Sequence, residues 1–422
     1  RPTLAGSDLF PSPSIPLIAD APLASPADLP APDPAFRADL VALRRELHQH
    51  PELGFQEHRT AQRLRDWLTE RGFEPSAPMA GTGFVVDIHG DRPGPMVAYR
   101  ADMDALPIHE ATDAPYRSLT PGAMHACGHD AHMTVACGVA VLARERRAEF
   151  AGTVRVLFQP AEEVSPSGAP AMIQAGALSG VEAIYAIHMD PSQAVGRFGF
   201  RVGSLTAACA PFRVTVRSER SGHSARPHEA VDTVWVASQI ANELYQLPGR
   251  VTDARKAAVL TICRFRGGDA LNVIPSEVEF GGTLRCVDGE TLGFLREKIR
   301  RVAGALGAAY KADVDVDFDI TLPAVVNTTE EVRRATEAAT DLFGPEAAMP
   351  IQLPSMGGED FAYYLQEIPG CMVRVGSASG PDTRYPLHHA RFDLDEGALP
   401  MAARLMAEVC HRHLNDSSSR RS

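Results

Sequence analysis

Three short apolar runs, at residues 96–99, 154–158 and 183–187, alternate with helical patterns, and each breaks off into a polar stretch. Strands of this length between helices specify an α/β sheet covered by helices. The first run ends in Arg100-Ala101-Asp102-Met103-Asp104. The second ends in Gln159-Pro160-Ala161-Glu162-Glu163, and the third in His188-Met189-Asp190-Pro191. In open α/β sheets the functional crevice lies outside the carboxyl ends of the strands. Three such endings rich in metal-ligand residue types therefore point to one shared site.

At 422 residues the chain is long for a single core, so two domains are expected. Asp33 is placed to cap a helix that opens at Pro34, and Phe36, Leu40, Leu43 and Leu47 share one face of it. A second helix is expected from about Glu57 to Gly72. From about Pro211 the pattern changes to strand 212–216, helix 231–247, strands 259–263 and 278–285, helix 290–310 and strand 314–320. That β-α-β-β-α-β order is the ferredoxin-like arrangement. The expected architecture is thus an α/β, mixed-sheet domain (residues 35–209 and 321–415) interrupted by a ferredoxin-like α+β domain (residues 210–320). A Pro/Ala-rich arm, residues 1–34, precedes it, and a tail, residues 416–422, follows. The arm shows no periodicity. It is compatible with the remnant of a removed export signal, so both a periplasmic or secreted and a cytoplasmic location stay open.

Composition excludes several classes. A net charge of −12 offers no electrostatic footprint for nucleic acid or an anionic membrane. No stretch approaches the roughly 20 apolar residues of a membrane span. Seven widely spaced cysteines do not form a disulfide scaffold.

Two further elements carry chemistry. Met124-His125-Ala126-Cys127-Gly128-His129-Asp130 stands before a helical pattern at residues 132–144, where a helix N-terminus favours a thiolate. Leu387-His388-His389-Ala390 lies far down the chain. Cys127, His129, Glu163, His188 and His388 supply thiolate, imidazole and carboxylate donors, a mixture suited to zinc, manganese, cobalt or nickel. One catalytic ion uses about three protein ligands, so five with one shared serve two ions. Of the pair Glu162-Glu163, Glu163 is read as ligand. Glu162 is read as the general base that takes a proton from water and passes it to a leaving amine.

These residues, with Leu47-His48-Gln49-His50-Pro51-Glu52, Gly222-His223-Ser224-Ala225-Arg226-Pro227 and Gly357-Gly358-Glu359-Asp360-Phe361, resemble the aminoacylase–glutamate carboxypeptidase family of di-metal hydrolases. The similarity is to its branch of N-acyl-amino-acid amidohydrolases, hippurate hydrolases and auxin-conjugate hydrolases, and it covers about Ala35 to His413. The resemblance implies the same five ligands and the same base, and it prefers His388 to His389. Where the wider family has His-x-Asp this chain has Asp102-Met103-Asp104, and where it often has Asp this chain has Cys127. Asp104 would then orient the site without binding metal, and the role of Asp102 stays open. The resemblance also implies that His223 stabilises the oxyanion, often across a dimer, and that Asn272 helps hold substrate. Arg285 and Gly358 become candidates for the substrate carboxylate, and the resemblance implies a homodimer in which the α/β, mixed-sheet unit is a di-metal hydrolase domain and the inserted α+β unit a lid or dimerisation domain.

The expected activity is hydrolysis of N-acyl-L-amino acids. A dipeptidase or carboxypeptidase and an inactive metal-binding protein are the alternatives. His48-Gln49-His50, at a helix end, is read as structural. His228-Glu229 fails as a zinc-protease helix because Asp232 stands at the second histidine position. His411 and His413 are expected on the exposed side of the last helix.

Overall fold

The computed structural model describes residues 33–421. Of the expected arm only Asp33 and Pro34 fall within them. The Asp33 side chain accepts from the Ala35 N–H at 3.0 Å and opens the first helix as its cap.

In chain order the first part contains α1 (Pro34–Gln49), α2 (His58–Glu70), β1 (Phe84–His89), β2 (Arg92–Asp102), α3 (His129–Glu145) and β3 (Ala151–Gln159). It continues with α4 (Gly168–Gln174), β4 (Val181–Ala194), β5 (Phe198–Phe200) and β6 (Gly203–Ser204). The middle part contains β7 (Ala208–Arg217), β8 (Gly222–His223), α5 (Thr233–Val251), β9 (Ala258–Arg266), β10 (Val273–Ile274), β11 (Glu277–Cys286), α6 (Gly289–Tyr310) and β12 (Asp313–Phe318). The last part contains β13 (Val326–Asn327), α7 (Thr329–Phe343), β14 (Ala348–Pro350), α8 (Phe361–Glu367), β15 (Gly370–Ala378) and α9 (Ala398–Arg421).

The first and last parts share one seven-stranded sheet, ordered β1-β3-β2-β4-β15-β5-β14. It is mixed: β3, β2, β4 and β15 run parallel, while β1 and β5 pair antiparallel with β3 and β15. Apart from Arg155, which pairs with Asp87, the runs are apolar because both faces of their strands are covered. Val97, Tyr99, Val154, Val156, Tyr185 and Ile187 enter the core under α1, α3, α7 and α9. The alternate residues Ala98, Leu157, Ile184 and Ala186 enter a second core against α4 and α8. The period of two along each strand divides them in this way.

The middle part forms its own four-stranded antiparallel sheet, ordered β12-β7-β11-β9, with α5 and α6 on one face over a separate core. This is the β-α-β-β-α-β unit expected from the sequence, inserted in the α/β unit.

Two local expectations are corrected. Helix α3 begins at His129 rather than 132, because Gly128 (φ 88°) turns the chain through the left-handed region immediately before it. His413 is buried, 5% exposed, with its Nδ1 3.1 Å from the Tyr185 hydroxyl. His411 is half-buried, with its Nδ1 3.0 Å from Arg146 Nη2. The last helix lies against the sheet and α3, so this side of it meets protein and not solvent.

Candidate metal centre

The polar endings of β2, β3 and β4 meet at the carboxyl edge of the large sheet, beside a cavity of about 1010 Å³. Cys127, Glu162, Glu163, His188 and His388 line that cavity, as do Arg285 and Gly358. His129 lies fully buried at the start of α3.

The donors fall into two overlapping sets. Donor atoms of Cys127, His129 and His188 all lie within 4.8 Å of one another, and so do those of Cys127, Glu163 and His388. Cys127 is common to both. Cys127 Sγ lies 3.5 Å from His188 Nε2, and His388 Nε2 lies 3.0 Å from Glu163 Oε1.

Hydrogen bonds aim the imidazoles. His129 Nδ1 sits 2.8 Å from the Asp104 carbonyl oxygen, and His188 Nδ1 sits 2.9 Å from that of Met189. A carbonyl can only accept, so each Nδ1 carries a proton and each Nε2 is left as the ring atom that can face a cation. His129 Nε2 is buried without a hydrogen-bond partner. Burial opposes protonation of His129, but Asp102 and Cys127 push its pKa well up; an orphaned ring nitrogen whose proton a cation can displace, beside a thiol and a second imidazole nitrogen, fits a metal. Burial pushes the Cys127 thiol well up, against the pull of His129; a thiolate here needs a bound cation. Burial, and after it the charge of Arg374, push His188 well down and keep it neutral. His132 lies close by but is committed. Its Nδ1 meets Asp102 Oδ1 at 2.7 Å and its Nε2 accepts from the Met189 N–H at 3.0 Å. The overlapping sets form a candidate two-metal centre.

The loop carrying Glu162 and Glu163 is pinned by acids. Asp104 accepts from the N–H groups of Glu162 and Glu163, each at 2.9 Å. Burial works against its ionisation, but His129 and these two N–H groups hold its carboxyl below the usual range. Glu57, which the sequence did not flag, accepts from the Ala161 N–H at 2.9 Å and the Thr82 hydroxyl at 2.7 Å. Ala161 (φ 56°) and His388 (φ 64°) both sit in the left-handed region, a strain held by these contacts and by the bond from the His388 N–H to Ala126 O.

Beneath the loop lies a buried cluster that was also missed. The Arg100 guanidinium contacts Asp102 and Asp360 at 2.6 Å each, Glu359 at 3.1 Å and the Gln159 side-chain oxygen at 2.8 Å. The Asp360 N–H donates to Glu162 Oε1 at 3.3 Å. Burial, then Glu359, Glu163 and Asp360, push the Glu162 carboxyl well up. Asp102 is thus an ion-pair partner of Arg100 and accepts a hydrogen bond from His132 Nδ1.

Not every expected residue reaches the cavity. His223 and Asn272 are exposed on the ribbon of β8 and β10, where the Asn272 carbonyl accepts from the Ser224 N–H. Neither lines the cavity. Arg285 does, and it donates to the Met356 carbonyl at 2.9 Å. A side chain at Gly358 would meet Leu322 at 2.5 Å. His389 turns away and stacks on Tyr385. His48 is buried, 2.8 Å from Asp130 and 3.3 Å from Glu110, and belongs to no donor set.

Residues 98–412 match the model of peptidase family M20/M25/M40. The chain is 40% identical over 378 residues to N-acetylcysteine deacetylase of Bacillus subtilis (strain 168), covering 89% of this chain and 97% of that one. It is 38% identical over 385 residues to IAA-amino acid hydrolase ILR1-like 5 of Arabidopsis thaliana, covering 90% and 88%. The Bacillus subtilis YXEP protein, described as a dinuclear metal binding peptidase from the M20 family, superposes with a TM-score of 0.81 at 37% identity, over 91% of this chain and 99% of that one. No helix among the described residues is long and apolar enough to cross a membrane. Family match, fold and converging donor sets agree: the chain belongs to peptidase family M20/M25/M40 and is a metal-dependent hydrolase.

Proposed function

We propose that the protein hydrolyses the amide bond of N-acyl-L-amino acids, giving a carboxylic acid and a free amino acid. The observation that carries this reading is Glu162. It is a carboxylate on the same pinned loop as Glu163, beside both donor sets and facing the cavity. The relatives that act on N-acyl amino acids support the acyl-amino-acid class.

Cys127, His129, Glu163, His188 and His388 would hold two divalent cations of the zinc, manganese, cobalt or nickel type. When bound, such ions polarise a carbonyl and acidify water. Glu162 removes a proton from the attacking water as the C–O bond forms, then delivers it to nitrogen as the C–N bond breaks. Asp104 fixes the loop through two N–H groups, so Glu162 needs no reorganisation at that moment. Arg285 and Gly358, on the cavity wall, hold the α-carboxylate.

His223 and Asn272 serve the site of a partner subunit in this reading, the former as oxyanion donor. Their exposure supports this, and so does the edge strand β9, which carries exposed Val259 and Phe265 and meets exposed Tyr245 of α5. Mixing a His223→Ala chain with a Glu162→Gln chain should restore roughly a quarter of wild-type activity, since half the dimers are mixed and each has one intact site. No rescue after verified subunit exchange would refute the shared site.

Release of amino acid from acetyl-, benzoyl- and aminoacyl-substrates, with and without chelator, tests the activity itself. Chelator-sensitive cleavage of the acetyl and benzoyl compounds is expected. Cleavage of the aminoacyl compounds alone would make the protein a dipeptidase.

A further inference from the structure

Two arginines line the cavity, one from each sheet: Arg285 from β11 and Arg374 from β15. Arg285 is tied to the Met356 carbonyl. Arg374 is different. Among the described residues no carboxylate lies within ion-pair distance of it and no acceptor takes its hydrogen bonds. Of the other buried or half-buried arginines, Arg44, Arg100, Arg155 and Arg334 pair with acids, while Arg65, Arg144, Arg201 and Arg296 donate to carbonyl or hydroxyl oxygens. A half-buried guanidinium without a partner forfeits hydration for no return, which is unfavourable unless a ligand supplies the anion.

Its position directs that anion. Arg374 stands in register with His188 on one side and with Gly199 on the other. Register neighbours point to the same face, so the arginine faces the cavity beside His188. Its stem is packed: a Cβ at Gly199 would meet Arg374 Cβ at 3.2 Å and Ile351 Cδ1 at 2.8 Å. Gln193 lines the same cavity, and its buried Oε1 also lacks a hydrogen-bond partner. Ile351 and Leu353 give the rest of this end an apolar wall.

We propose that Arg374 forms a second anion subsite, so that the preferred substrates are N-acyl amino acids carrying two carboxylates. The inference rests on the amidohydrolase reading above. The α-carboxylate is held at Arg285. The second carboxylate, on the acyl chain or on the amino-acid side chain, pairs with Arg374.

The test compares matched substrates: N-succinyl- against N-butanoyl-L-leucine, and N-acetyl-L-glutamate against N-acetyl-L-glutamine. The wild-type enzyme should favour the dicarboxylate of at least one pair by roughly tenfold or more in kcat/KM. Which pair shows the preference locates the second carboxylate. Arg374→Leu should abolish that preference, and Arg374→Lys should keep part of it. Absence of preference in both pairs, or a preference untouched by Arg374→Leu, overturns the subsite. Calorimetric titration of the metal-loaded enzyme with glutarate and with butanoate needs no turnover. Glutarate binding weakened at least tenfold by Arg374→Leu supports the subsite even if no N-acyl amino acid is cleaved, in which case the amidohydrolase reading fails alone. Glutarate binding indifferent to the substitution overturns the subsite by itself.

Discussion

Replacing Glu162 by Gln should leave metal content unchanged and lower kcat by roughly 10²- to 10⁴-fold, the range typical of a lost general acid–base group. The amide has nearly the volume of the carboxylate and still accepts from the Asp360 N–H, so the pinned loop should persist. It cannot take a proton from water. Metal analysis of the purified variant, alongside kcat on an N-acyl amino acid, separates the two contributions. A variant that turns over like the wild type would remove Glu162 from the mechanism. One that loses metal would make it a ligand.

The largest effect on stability is expected at Arg100. Arg100→Met leaves Asp102, Glu359 and Asp360 without their shared cation in a fully buried setting. Breaking a buried ion cluster by removing one partner costs about 3–5 kcal/mol. Thermal unfolding should therefore shift down by on the order of 10 °C. Arg333→Met is the control. Its pairs with Glu330 and Glu337 lie on the surface, where such contacts are worth about 0–1 kcal/mol. Equal shifts in the two variants would show that the Arg100 cluster is not a unit of stability. Burial lifts the Asp360 carboxyl to about 7 despite the pull of Arg100. Without the guanidinium it is expected to stay protonated, which limits the penalty to the lower part of the range.

The sequence revealed most about elements whose environment is uniform. Residues 183–187 lie under helices on both faces, so the run is apolar throughout and reads as a strand. The inserted unit was legible because β7 and β12 alternate Val214, Val216 and Val314, Val316 towards one core. Glu163 and His188 were flagged by type and by their place after strands, Cys127 and His129 by their place before a helix, and the fold brings these donor atoms close together. What escaped was charge used internally. Arg100, Glu57 and Asp360 carried no assigned role, and only the fold brings Arg100 and Asp360 together. Arg374 sits in an otherwise apolar run, and nothing in the run tells whether its head meets water, an acid or a ligand. His413 was misread because its helix looked terminal, although it closes the core.

The order of strands in the large sheet bears on how the molecule is made. β15, among the last elements of the chain, lies between β4 and β5, which precede the insertion. A nascent polypeptide emerging from the ribosome can therefore finish the four-stranded sheet while the larger one still has a gap at its middle. His388 follows β15, so one donor set stays incomplete until almost the whole protein has been translated. On the proposed ligand set, cation loading and hydrolytic competence are deferred to the end of biosynthesis, and a truncated product ending before β15 would be released inert.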